Sequence, residues 1–207
     1  DLCKSVGAAF DKEWRGSEEW EKEDRLKKEK NAIMGHEEEC NYYKEKIREF
    51  LSEMGEVAKV YCPPWYVSLE EGIFAELYGL AGLSPWIYDQ SEEYRNSSSA
   101  KLIGDRLYCL IDGKSRLQPQ RISLERRNQL KRALLLATPK ERIEKGFHEI
   151  YLHNGIRISI FSGEKTKEDE DIMVFRKYLL KELTFEGLAK LGTIPPESVE
   201  LFKTMVK

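Results

Sequence analysis

The 207-residue sequence contains no apolar run near the roughly 20 residues a membrane-spanning helix needs. Its N-terminus lacks the basic, apolar and small-residue regions of a secretory signal. Both absences make the chain read as a soluble protein. Cysteine is scarce: Cys3, Cys40, Cys62 and Cys109 are scattered, with no C-x-x-C pair. That pattern fits reduced cytosolic thiols rather than a disulfide framework or a zinc site. Charge of one sign is missing too. A net charge of -3 from 34 basic and 37 acidic residues leaves no basic domain for wholesale nucleic-acid binding. No G-x-x-x-x-G-K-[ST] occurs, so nothing here cradles nucleotide phosphates in the P-loop manner.

Histidine is rarer still. His36 reads as a solvated helix start, and His148 and His153 lie five apart on one predicted strand. Their side chains then point to opposite faces and cannot share a metal. Ser159 and Ser162 lack the glycines of a nucleophile elbow. The carboxylates of "EKTKEDED", residues 164 to 171, miss the EF-hand spacing and read as a solvated loop. No catalytic residue and no metal ligand is therefore assigned.

What is present begins with charge. Residues 1 to 60 are rich in Glu and Lys and break at Gly35 into two helices, an antiparallel hairpin. The second helix carries Tyr43, Ile47, Phe50, Leu51 and Met54 on one face, while the first is thin in apolar residues and is expected to pack weakly or against a partner. "YCPPWY" at 61 to 66 interrupts helix, because its prolines lack amide donors, and marks a domain boundary. Tyr61, Trp65 and Tyr66 read as anchors of that linker, or as an exposed patch for a partner.

Beyond it, Ser68 with Glu71 forms a capping box and Ser84-Pro85 opens a short helix. "AKLIGDRLYCLIDGK" switches to period two around turns at Gly104-Asp105 and Asp112-Gly113. "SLERRNQLKRALLLA" returns to helical spacing, and Thr138-Pro139 with Glu141 starts another helix. Three β-rich runs follow, "FHEIYLH", "IRISIF" and "IMVFRKYL", the first two joined by an Asn154-Gly155 hairpin signal. Two short helices, broken at Gly192 and restarted at Pro195-Pro196, end the sequence. The expectation is an α+β fold of about five strands with flanking helices, preceded by an N-terminal helical hairpin. Starting at Asp1 and stopping at Lys207 after an amphipathic stretch, the chain reads as a segment of a longer polypeptide.

Two basic features have competing readings. The helix across residues 121 to 132 gathers Arg121, Arg126, Arg127, Lys131 and Arg132. These suit a nucleic-acid stripe, or the polar face of a helix lying on the sheet, and the second is preferred because no aromatic residue interleaves with them. Arg157 and Arg176 each sit in a run that otherwise reads as buried strand. Either they are snorkelling edge residues, or both project from one sheet toward an anionic ligand as forked donors suited to phosphate oxygens.

The order of segments "GLAGLSPWIYDQSEEYRN", "DRLYCLIDGK", "NGIRISIF", "IMVFRKY" and "LTFEGLAKLGTIPPESVELFKTMV" resembles the N-terminal domain of the type II/type IV secretion ATPases, which include pilus-assembly and tight-adherence ATPases. The resemblance covers residues 67 to 207 and implies a PAS-like mixed sheet with flanking helices at 67–180 and a helical linker at 181–207 leading to a RecA-like ATPase domain that this sequence does not contain; the charged helical extension at 1–60 matches no pattern of the family. It implies ATP and Mg bound by the whole protein, none by this part alone, and no hydrolysis without a Walker A motif. It further implies a homo-hexamer on the cytoplasmic side of the inner membrane, contacting platform proteins there. Arg157 and Arg176 fall on positions that, in the family, close over nucleotide held by the ATPase domain. The linker "SGEKTKEDED" departs from the proline-containing apolar loop usual there. A stand-alone protein-interaction scaffold is the rival reading, and a nucleic-acid binder a third.

Overall fold

Gly35 takes φ +83°, a left-handed conformation that favours glycine, and it turns the chain between α2 (Glu19–Ile33) and α3 (Glu37–Glu53). The structure, a computed structural model, describes residues 2–13, 18–54, 60–138, 146–167, 170–179 and 184–206. A further helix that the sequence reading did not separate, α1 (Leu2–Glu13), precedes the hairpin. The expected helical start at Pro139 and Glu141 lies outside the described residues. Charge joins these helices: Arg25 bridges Asp11 at 2.6 Å and Glu29 at 2.7 Å, and Lys46 meets Glu13 at 2.6 Å.

The α3 face forms as the spacing predicts, with Tyr43 and Ile47 buried and Phe50 and Leu51 packed beside them; Met54 is exposed. Its apolar cluster is shared with Val6 and Phe10 of α1 and with Ile73 and Phe74 of α4 (Leu69–Leu77). Arg48 of α3 also grips Glu70 with two hydrogen bonds of 3.0 and 2.9 Å. The helical extension and the first helix after "YCPPWY" therefore share one core, and that segment lies inside a single compact unit, Asp1–Lys177.

Caps explain the helix starts. Ser68 accepts from Glu71 N to open α4, and Ser123 from Arg126 N to open α7 (Leu124–Ala137). Between them come a short 3-10 turn, α5 (Ser84–Ile87), α6 (Glu92–Arg95) and three strands: β1 (Ser99–Ile103), β2 (Arg106–Ile111) and β3 (Lys114–Arg121). After α7 come β4 (Phe147–Tyr151), β5 (Arg157–Phe161) and β6 (Ile172–Arg176). They form one six-stranded sheet in the order β3-β2-β1-β6-β5-β4, every neighbouring pair antiparallel.

The α+β architecture with flanking helices and preceding N-terminal helices is as the sequence reading has it. The strand it lacked is β3, whose "KSRLQPQR" is polar and holds a proline, tolerated on a sheet edge. The turn before it, Asp112-Gly113 with φ +50° and +71°, is the two-residue type that closes a hairpin.

One face of the sheet packs against α7 and the α5–α6 region around Leu102, Leu107, Ile158, Ile160, Met173 and Phe175. The residues of the other face alternate with these along each strand and, among the described residues, belong to neither buried apolar cluster. A second unit, Tyr178–Lys207, contains α8 (Phe185–Lys190) and α9 (Val199–Met205). Gly192, at φ +71°, separates these helices; Phe185 stacks on Phe202 at 5.8 Å and Lys203 pairs with Glu186 at 2.5 Å.

Candidate functional site on the open sheet face

Period two decides which side chains reach the open face. On β5 the residues Ile158 and Ile160 enter the core, leaving Arg157, Ser159 and Phe161 outside; on β6, Met173 and Phe175 enter and Ile172, Val174 and Arg176 stay out. Arg157 and Arg176 are direct partners in the β5–β6 ladder, and Arg176 also faces Ser99 of β1. Directly opposed Cβ atoms in such a ladder are about 5 Å apart. Both arginines therefore stand side by side on one face.

Neither strand is an edge, since β6 lies between β1 and β5, and β5 between β6 and β4. The edge-snorkelling reading fails for that reason: Arg176 is exposed and Arg157 half-buried, both on interior strands. Arg157 Nε lies 3.5 Å from Glu149 Oε1, a diagonal neighbour on β4. Arg176, fully on the surface, has no ion pair among the described residues. Lys101, exposed in the adjacent row of β1, adds a third cation. The patch thus sets three cations against one carboxylate. Like charges directly opposite cost stability, so packing does not account for the pair, whereas an oxyanion accepting from both guanidinium groups would. Elsewhere on this face Phe147 lies against Phe161 at 5.0 Å between ring centroids, beside polar positions at Ser99, Tyr108 and Ser159, and Arg106 reaches Glu170 at 3.5 Å.

The neighbouring lysine behaves differently. Lys177 Nζ turns under the sheet end, pairs with Asp89, donates to Tyr94 O at 2.7 Å and Trp86 O at 3.1 Å, and lies 4.3 Å from the Trp86 ring centroid. In "FRK" each residue has its own role: Phe175 fills the core, Arg176 faces solvent and Lys177 anchors α5 and α6. Sequence reasoning missed that anchor, because its partners lie more than 80 positions away.

The remaining candidates disperse. Arg127 is 2% exposed, Lys131 is paired with Asp171, and Arg126 Nη2 reaches Gly79 O. Only Arg121 and Arg132 of that basic set are exposed. The expected polar face is therefore largely consumed by the fold, and so is the stripe a nucleic acid would need. His148 is buried on β4, and His153 lies past the strand end in the turn. His153 stacks on His36 at 4.1 Å between ring centroids, a pairing the spacing argument did not foresee. No group of three or more His, Cys, Asp or Glu residues suited to a metal occurs among the described residues, and no described helix is long and apolar enough to cross a membrane.

No family model matches the sequence, and no curated protein matches it. Solved structures do match, among them the VirB11 ATPase from the Brucella suis type IV secretion system in complex with sulphate. That pairing has 17% identity and a TM-score of 0.46 and covers 58% of this chain. The chain spans 40% of the length of that protein.

Proposed function

We propose that this chain is the N-terminal regulatory and ring-forming domain of a secretion or pilus-assembly ATPase, with Arg157 and Arg176 contacting the phosphates of ATP held with Mg by a motor domain beyond residue 207. The observation that carries the reading is the arginine pair: two arginines directly opposed on interior strands, one of them without an acid partner among the described residues. The order of sequence segments supports it independently. In this reading ATP draws the two domains together by bridging them, and its release lets them part. The full protein would be a hexamer, bound through platform proteins at the cytoplasmic face of the inner membrane. This chain alone would bind no nucleotide tightly and hydrolyse none.

The test uses the longer protein. Its reading frame beyond Lys207 should reach a strand followed by G-x-x-x-x-G-K-[ST]. Arg157→Ala and Arg176→Ala should then each lower ATPase turnover by about tenfold or more while leaving the melting temperature nearly unchanged. Turnover at the parent level in both variants would sink the arginine role. A stop codon in place of the motor domain would favour the scaffold reading, in which the charged helices and "YCPPWY" bind a protein partner.

A further inference from the structure

A cavity remote from the arginine pair lies between α1, the segment from Val60 to Tyr66, α4 and the first turn of α7. Its volume is about 730 Å3, within the roughly 300 to 1,000 Å3 usual for small-molecule sites. The wall is mostly apolar, with the rings of Tyr61, Trp65 and Tyr66 and the aliphatic chains of Leu69 and Leu77. Its shape is built in. Tyr66 OH donates to Glu76 Oε1 at 2.5 Å, and the Tyr66 ring rests on Gly72, where an added Cβ would come within 2.9 Å of Cδ2.

Two donors are unfinished in this wall, Trp65 Nε1 and, carrying the charge, Arg126 Nε. The Nε of Arg126 is buried and has no acceptor, its Nη2 makes only a long 3.3 Å bond to Gly79 O, and no ion pair among the described residues includes it. Burial pulls its pKa down, with Glu76 opposing. A desolvated guanidinium with an idle N–H is costly unless something accepts from it. The other charges at the cavity do not supply that acceptor. Glu76 Oε1 is occupied by Tyr66, and Lys4 and Glu125 are exposed, where solvent and salt screen them.

We propose that this cavity binds a small aromatic carboxylate, its ring between Tyr61, Trp65 and Leu69 and its acid oxygen accepting from Arg126 Nε. An anion is favoured over a neutral amide because a charge-assisted bond to a guanidinium is about twice as strong as a neutral one. A planar ring is favoured because three aromatic side chains form the wall.

The experiment titrates the chain with 2-naphthoate and with its uncharged analogue 2-naphthamide, reading tryptophan fluorescence and calorimetric heat. The expected result is saturable one-to-one binding of the carboxylate, about tenfold tighter than the amide. Arg126→Gln, with circular dichroism and melting preserved, should erase that preference. Should Arg126→Gln fail to fold, Arg126→Lys keeps the charge but loses the Nε donor and should weaken naphthoate about tenfold. Leu69→Trp, which fills the cavity with Arg126 intact, should block both compounds. Equal affinity for the two compounds, no saturable binding up to about 1 mM, or a folded Arg126 variant with unchanged preference would each overturn the proposal.

Discussion

Arg157 and Arg176 face each other across β5 and β6, and among the described residues only Arg157 has a carboxylate, Glu149, within reach. The relationship predicts an asymmetry in stability. Arg176→Gln removes one member of a repelling pair and should be neutral or stabilise by up to about 0.5 kcal/mol. Arg176→Glu should gain a similar amount by creating a cross-strand ion pair, and 1 M salt should remove that gain. Urea midpoints of the three proteins decide it. A loss above about 1 kcal/mol for Arg176→Gln would mean that Arg176 holds the fold together, and the phosphate reading would lose its physical basis.

Lys177 gives the opposite expectation. Its side chain is 9% exposed, and its ammonium group satisfies two backbone carbonyls as well as Asp89. Lys177→Met strands those acceptors, so the loss should be about 2 to 4 kcal/mol, although Asp89, 47% exposed, can turn to water. Adjacent residues of one motif would then differ by several kcal/mol in the same denaturant assay. Equal effects at 176 and 177 would contradict the alternation that places them.

Alkali should weaken the protein in two stages. Burial pushes the Cys109 thiol from 9.0 up to about 12, with Lys177 opposing. Burial likewise raises Tyr43, Tyr66, Tyr78 and Tyr88 above the ordinary phenol value. An acid with a raised folded pKa keeps its proton after the unfolded chain has lost it. Its contribution is therefore full below the unfolded pKa and is lost as pH rises toward the folded one. Stability should hold to about pH 8, decline above pH 9 as the unfolded thiol ionises, and fall more steeply above pH 10 as the tyrosines follow. Each group adds at most about 1.4 kcal/mol per pH unit. Urea midpoints from pH 7 to pH 11 test the slope; a flat profile across pH 9 to 11 would refute it.

Local signals carried most of the element list into view. Ser68 caps the helix its sequence announces, and the β-rich runs "IRISIF" and "IMVFRKYL" do form strands. What stayed hidden is non-local. β3 is a strand because β2 offers it a partner, so its polar residues gave no apolar alternation to read. Arg127 counted as surface charge by residue type, yet it is buried, and no spacing rule distinguishes it from exposed Arg132. The arginine pair was visible as two positions, but their direct opposition depends on the β5–β6 register. The Arg126 cavity needed α1, α4 and α7 brought together from three separate stretches of sequence.

The edge strand supplies the final prediction. β3 is fixed to the body largely by polar contacts: Tyr94 OH donates to Gln118 Oε1 at 3.1 Å and accepts from Gln120 Nε2 at 3.0 Å, all three side chains being buried. Gln120 also packs where Gly82 leaves room, since a Cβ at Gly82 would lie 3.0 Å from the Gln120 Cβ. Tyr94→Phe removes one hydroxyl and leaves two buried amide groups short of a partner, which should cost about 1 to 3 kcal/mol. The damage should be local first, with amide exchange accelerating at β3 more than at β5 or β6. Gln120→Leu combined with Tyr94→Phe should recover part of the loss, because removing both members of a buried polar pair costs less than removing one. Uniform exchange across the sheet in Tyr94→Phe would show that β3 unfolds only with the core, and that the hydroxyl is not what holds it.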